Sequence, residues 1–150
     1  HLMIEKPERK LDTIIDAGAD IITIHQESTT RLYSCIEKIK SRGVKAGVVL
    51  SPATNEDTLK YVLDKIDMIL LMTINPGEAG PGFHEELLTK IKNVRELIGD
   101  RDIDLEVDGG IDNTNIAKCK EAGVNVFVSG GYVFKGDIAE KIKTLREALK

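Results

Sequence analysis

The chain has 150 residues, 41% of them hydrophobic and 31% charged, which sets it among folded globular proteins and apart from disordered chains, with a length that suits one domain over 1–150. Its formal charge of −4 comes from 21 basic and 25 acidic residues that are interspersed, which speaks against a nucleic-acid surface but not against small phosphate ligands held by backbone amides. No apolar run reaches the ~18–20 residues of a membrane span, the opening residues lack a signal-peptide pattern, and Cys35 and Cys119 form neither a disulfide framework nor a zinc knuckle, so a reducing, cytoplasmic setting with no membrane partner is expected.

His1-Leu2-Met3 reads as the end of a strand. Residues 7–17 carry Leu11, Ile14 and Ile15 at helical spacing, with Gly18 as a cap. A β-branched run follows at 20–25 and ends in His25. Helix 30–41 shows Leu32, Ile36 and Ile39 on one face, and 44–50 is a buried strand. Thr54 and Asp57 suggest a capping box for a helix with Leu59, Val62, Leu63 and Ile66. Strand 67–73 leads to a glycine-rich loop at 75–82. The longest helix is expected over 83–98, with Phe83 to Leu97 inward and Gly99 closing it. Strand 103–107, helix 113–122, strand 124–128 and helix 136–149 complete the chain.

The pattern is a βα unit repeated six times. Its strands are continuous apolar runs, as in a parallel sheet covered on both faces. Two architectures fit: an open doubly wound sheet, and part of a (β/α)8 barrel.

Four of the thirteen glycines, at 18, 43, 99 and 123, follow helices and read as caps. Seven others, Gly77, Gly80, Gly82, Gly109, Gly110, Gly130 and Gly131, follow the last three strands. Glycine there lets backbone N–H groups approach an anion, and three consecutive strands with the same feature favour a phosphate site over three tight turns. Asp108, at a strand's tip, points at the mouth of such a fold as an acid/base or a metal ligand. Its alternative role as a helix cap is better filled by Asp112 or Asn113. His1 and His25 are strand-tip candidates for the same mouth. His84 is expected to face solvent, and Met3 and Met72 to serve as packing or apolar lining.

His1-Leu2-Met3, the run Ala17 to His25, the run Val44 to Pro52, Met72-Thr73-Ile74-Asn75-Pro76-Gly77, Leu105-Glu106-Val107-Asp108-Gly109-Gly110-Ile111 and Val128-Ser129-Gly130-Gly131 together resemble the ribulose-phosphate 3-epimerase family, collinearly over nearly the whole chain. The resemblance implies a ribulose-phosphate-binding TIM (β/α)8 barrel, a fold of about 200–250 residues. This sequence matches the six βα units from the family's third strand to its eighth.

The activity implied is that of an isomerase of carbohydrate metabolism in the pentose phosphate pathway: epimerisation at carbon 3 of a ketose phosphate, D-ribulose 5-phosphate to D-xylulose 5-phosphate, through a metal-stabilised enediolate. A hexulose phosphate such as allulose 6-phosphate is an alternative substrate. A non-catalytic phosphate-binding or barrel-completing fragment is an alternative role. In the family two aspartates act from opposite faces of the sugar, and two histidines with those aspartates hold a divalent metal, zinc first, with iron, manganese or cobalt as alternatives.

By resemblance, His1 is a metal and substrate ligand, and Asp108 is both metal ligand and catalytic proton donor. Gly77, Glu78, Ala79, Gly80, Gly109, Gly110, Gly130 and Gly131 belong to the substrate and phosphate loops. Met3 and Met72 line the reacting carbon. The family's other histidine and its catalytic base stand on the second strand, which this sequence does not include, so the 150 residues by themselves are expected to lack turnover and to form a homo-oligomer. Glu78 departs from the family's apolar residue, Pro81 removes an amide donor, and Gly131 stands where serine is common.

Overall fold

The structure is a computed structural model and describes residues 1–78 and 82–150. Among the described residues five strands form one sheet: β1 (Ile21–His25), β2 (Lys45–Leu50), β3 (Met68–Met72), β4 (Asp104–Asp108) and β5 (Val126–Val128). Their spatial order is β1-β2-β3-β4-β5 and every neighbouring pair is parallel. Strands taken in sequence order, without a reversal, are wound as in a barrel; a doubly wound sheet turns back at a switch point. That excludes the open-sheet alternative. The segment 1–3 contributes a single parallel bridge, Leu2 to Ile24, so the expected first strand is reduced to one paired residue beside β1.

Five α-helices among the described residues cover one face: α1 (Leu11–Asp16), α2 (Leu32–Ser41), α3 (Leu87–Ile98), α4 (Ile116–Glu121) and α5 (Ile138–Ala148). Side chains alternate across a strand. Ile22, Ile24, Val48, Leu50, Ile69, Leu71, Leu105 and Val107 therefore turn to the helices and meet Leu11, Ile36, Ile39, Ile91, Val94, Ile98 and Cys119 in one core. Each fully buried Leu or Ile contributes about 1.5–3 kcal/mol. The opposite face carries Thr23, His25, Gly47, Val49, Met68, Leu70, Met72, Glu106 and Asp108 by the same alternation. There Val49, Leu70 and Met72 form a small separate apolar cluster. At Gly47 a Cβ would stand 2.6 Å from the Thr23 Cγ2 and 3.0 Å from the Met68 carbonyl, so this glycine serves close packing within the sheet.

The structure corrects the expected elements at four places. The segment 51–66 holds two 3-10 turns, Glu56–Leu59 and Leu63–Lys65, in place of a helix. Its cap is Asn55, whose side chain accepts from the Asp57 amide at 2.7 Å, because the Thr54 hydroxyl is committed to Glu27. Helix α3 begins at Leu87 rather than 83: residues 82 and 83 run against Gly110, where a Cβ would lie 2.8 Å from the Phe83 nitrogen. Helix α4 begins at Ile116 because the Asp112 carboxylate accepts from the Thr114 amide and hydroxyl, holding a turn ahead of it. Strand β5 begins at Val126: the Asn125 amide still donates to the Leu105 carbonyl at 3.0 Å, but the Leu105 amide goes to the Asn125 side chain at 2.7 Å instead of a backbone carbonyl.

Candidate active site

Asp108 is the last residue of β4, held in register between Met72 and Val128. Its carboxylate Oδ2 lies 3.7 Å from the His1 Nδ1, with the two side chains 24% and 19% exposed. The other ring nitrogen of His1, Nε2, is 2.8 Å from the Nε2 of His25, and the two rings stack with centroids 5.0 Å apart. His25, the buried last residue of β1, places its Nδ1 3.3 Å from the Glu27 Oε2. Glu27 turns its Oε1 to the Ser51 amide at 2.8 Å and to the Thr54 hydroxyl. The Lys90 ammonium, from α3, fixes that same loop by donating to the carbonyls of Ser51 (2.8 Å), Pro52 (3.2 Å) and Thr54 (2.6 Å). One polar chain thus runs from α3 through three strand ends to Asp108.

The ionisation of these groups follows from their surroundings. Burial pushes the Asp108 carboxyl up, against the opposing effect of the Gly109 amide. Glu106, two residues back on the same face, is pushed up by burial and then by the charge of Asp108. Burial also acts on Glu27, yet donation from Thr54 and Ser51 outweighs it and holds this carboxyl below its ordinary range. Burial lowers the Lys90 ammonium.

A cavity of about 590 Å³ opens beside Asp108 and is lined by Gly109, Gly110, Gly130, Gly131 and Glu78, with Tyr132 and Lys135. Five of the residues expected in the substrate and phosphate loops therefore share one space. Gly77 does not: it lines a second cavity of about 460 Å³ with Met3, His25, Glu27 and Ser51. Ala79 and Gly80 lie outside the described residues. His1 stands against Asp108 and His25 rather than among the glycines. Met72 is 3% exposed within the Val49–Leu70 cluster and lines neither cavity, so packing is its observed role; the resemblance had made it a lining residue. Met3 is 48% exposed at the second cavity. His84 is exposed beside Glu86 and lies outside the helix it was expected to open.

The glycines divide by cause. Gly109 and Gly110 have φ of 124° and 65°, and a Cβ on either would strike backbone or side chain within 3 Å. Among the described residues nothing lies within 4 Å of a Cβ on Gly130 or Gly131. The first pair is glycine for packing, and the described residues show no such constraint at the second. Sequence reasoning missed Glu27, Lys90 and Lys135. The signal for Glu27 was a carboxylate two residues past a strand-tip histidine. For Lys135 it was a cation just beyond the Gly130–Gly131 loop.

His1 and Asp108 offer one imidazole nitrogen and one carboxylate oxygen, a donor pair suited to a borderline divalent ion. Their 3.7 Å separation approaches the ~3.3 Å between two ligands of a tetrahedral ion with bonds of about 2.0–2.1 Å, so the pair fits a shared metal. No group of three or more His, Cys, Asp and Glu side chains suited to a metal occurs among the described residues. No helix among them is long and apolar enough to cross a membrane.

Comparison with known proteins gives the family and the fold. The sequence profile of the ribulose-phosphate 3 epimerase family matches residues 1–134. The chain is 43% identical to the chloroplastic ribulose-5-phosphate-3-epimerase of Arabidopsis thaliana over 97% of its length, and 41% identical to the ribulose-phosphate 3-epimerase of Bacillus subtilis over 97%. It spans 54% of the plant protein and 69% of the bacterial one. Among solved structures, a 3-hexulose-6-phosphate synthase superposes with a TM-score of 0.77 at 24% identity, covering 98% of this chain and 70% of that one. That last likeness is one of fold, a TIM-barrel α/β enzyme. The chain belongs to the ribulose-phosphate 3-epimerase family.

Proposed function

We propose that the protein epimerises carbon 3 of a ketose phosphate, with D-ribulose 5-phosphate and D-xylulose 5-phosphate as the pair exchanged. The observation that carries this reading is the placement of Asp108, a half-buried carboxylate pushed toward protonation, between the His1 ring and a cavity lined by four glycines. A group that gives and takes a proton near neutral pH works best with a pKa raised from the ordinary carboxylate value. Asp108 exchanges the carbon-3 proton on one face of the sugar. The resemblance assigns the other face to a second carboxylate, from the family's second strand.

His1 and Asp108 would hold a divalent metal, which would supply charge stabilisation to the substrate oxygens when bound. The amides around Gly130 and Gly131 take the phosphate, and Lys135 adds a positive charge at the same cavity. Fixing the phosphate sets which face of carbon 3 meets Asp108. The site thus orients the sugar from one end and moves the proton at the other.

The test follows hydrogen at carbon 3 in deuterated water. With Zn²⁺ present, D-ribulose 5-phosphate should lose its carbon-3 proton to solvent in a manner that Asp108→Asn abolishes. Allulose 6-phosphate run in parallel decides between a pentulose and a hexulose. A ribulose 5-phosphate that binds and keeps its carbon-3 hydrogen with the parent chain overturns the catalytic reading in favour of a binding module.

A further inference from the structure

We propose that Glu27 is a positioning residue that dictates, through two imidazoles in series, which nitrogen of His1 carries the lone pair that faces Asp108. With both rings neutral, and with the 3.7 Å gap to Asp108 too long for a hydrogen bond, donors and acceptors along the chain leave one assignment. Glu27 is a carboxylate, held in that form by the Ser51 amide and the Thr54 hydroxyl, and a carboxylate only accepts. Its Oε2 faces the His25 Nδ1, so Nδ1 of His25 carries the hydrogen. In a neutral ring the Nε2 of His25 is then an acceptor. The 2.8 Å contact between the two Nε2 atoms needs one hydrogen, and it must come from His1. His1 is therefore protonated at Nε2 and bare at Nδ1, the nitrogen that lies 3.7 Å from the Asp108 oxygen.

Metal-ligating histidines are commonly oriented by a carboxylate on the far nitrogen. Here the carboxylate acts one ring further away. Lys90 completes the device by holding the carbonyls of Ser51, Pro52 and Thr54, which keeps the two donors to Glu27 in place.

The consequence of Glu27→Gln has a definite sign. Glutamine has one acceptor oxygen and one donor amide. The Ser51 amide is a fixed donor and claims the oxygen. The NH2 group then turns to His25 and needs an acceptor at Nδ1. His25 shifts its hydrogen to Nε2 and donates to His1, and His1 moves its own hydrogen to Nδ1. The lone pair facing Asp108 is lost by inverting two tautomers, without touching either ligand. Thr54→Val leaves the Ser51 donor in place and should invert nothing.

The experiment reads the tautomers by long-range proton–nitrogen NMR correlation on the metal-free chain, then titrates Zn²⁺ by calorimetry. The parent spectrum should show His25 protonated at Nδ1 and His1 at Nε2, and it tests the assignment without any variant. Glu27→Gln should reverse both and weaken Zn²⁺ about 10–100-fold, whereas Thr54→Val keeps the parent pattern. The reverse tautomers in the parent, or a Glu27→Gln chain that folds with parent tautomers and parent affinity, overturn the inference. The inference rests on His1 and Asp108 as ligands, and the two readouts separate the failures: expected tautomers with no Zn²⁺ bound by the parent remove the ligand reading and leave the relay standing.

Discussion

Thr73 locks the backbone of Gly109. The Thr73 amide donates to the Asp108 carbonyl at 2.8 Å, and its hydroxyl meets the carbonyls of Asp108 (3.0 Å) and Gly109. A Cβ on Gly109 would stand 2.9 Å from the Thr73 Oγ1 and 2.7 Å from the Ile74 Cγ1, with φ at +124°. The carboxylate proposed to move the proton is thus clamped by the residue that follows the neighbouring strand. Gly109→Ala must displace Thr73 or Ile74 and should cost about 1–3 kcal/mol in chemical denaturation. It should also slow carbon-3 exchange, because Asp108 shifts with its neighbour.

Gly130→Val separates binding from folding. Nothing among the described residues lies within 4 Å of a Cβ at this position, so stability should stay within about 0.5 kcal/mol of the parent. The side chain would instead project into the space proposed for the phosphate. Inorganic phosphate or D-ribulose 5-phosphate, titrated by calorimetry, should no longer bind. Parent affinity in the valine variant puts the anion elsewhere.

The strands were the most legible part of the chain. Runs such as Val48-Val49-Leu50 and Met68 to Met72 are buried on both faces and carry that fact in their composition. The ends of elements were less legible, because side chains decide them. Thr54 looked like a cap in sequence and is a donor to Glu27 in space, which leaves Asn55 to cap. Phe83 has the spacing of a helical residue but packs on the core ahead of α3. At the site, strand-tip position singled out His1, His25 and Asp108, and the resemblance gave His1 and Asp108 their roles. It could not supply their 3.7 Å approach, which depends on Leu2 pairing with Ile24 while Asp108 sits three strands away from β1 in the sheet. Glu27 offered only its nearness to His25, and Lys90 was silent, because the groups that fix them come from the loop after β2.

Lys90→Met tests the loop clamp. The methionine keeps the apolar stem and removes three donated hydrogen bonds. Part of the loss is offset by water reaching the freed carbonyls and by relief of a desolvated ammonium. The expected cost is about 1–3 kcal/mol in thermal or urea unfolding. Zn²⁺ affinity should fall as well, since Ser51 and Thr54 no longer hold Glu27. A variant as stable as the parent with parent affinity shows that the loop stands without the lysine.

Asp108→Asn should stabilise the metal-free chain while ending catalysis. Burial raises the Asp108 pKa, so the folded state holds this proton more tightly than the unfolded one. Below both values the group is protonated in both states and contributes nothing. As pH rises past the unfolded value the unfolded chain ionises first, and stability declines until the folded value is passed. Above that the full penalty remains. Asparagine carries no such penalty, so its stability advantage should be near zero in acid and grow toward neutral pH. Zn²⁺ reverses the order: ligand that binds only the folded state raises the melting temperature of the parent, and the asparagine variant, lacking the anionic donor, gains little. Melting curves across pH, with and without Zn²⁺, check both halves. An advantage for asparagine that persists unchanged into acid, or an equal Zn²⁺ shift in both proteins, contradicts the account of Asp108 as a half-buried, metal-binding carboxylate.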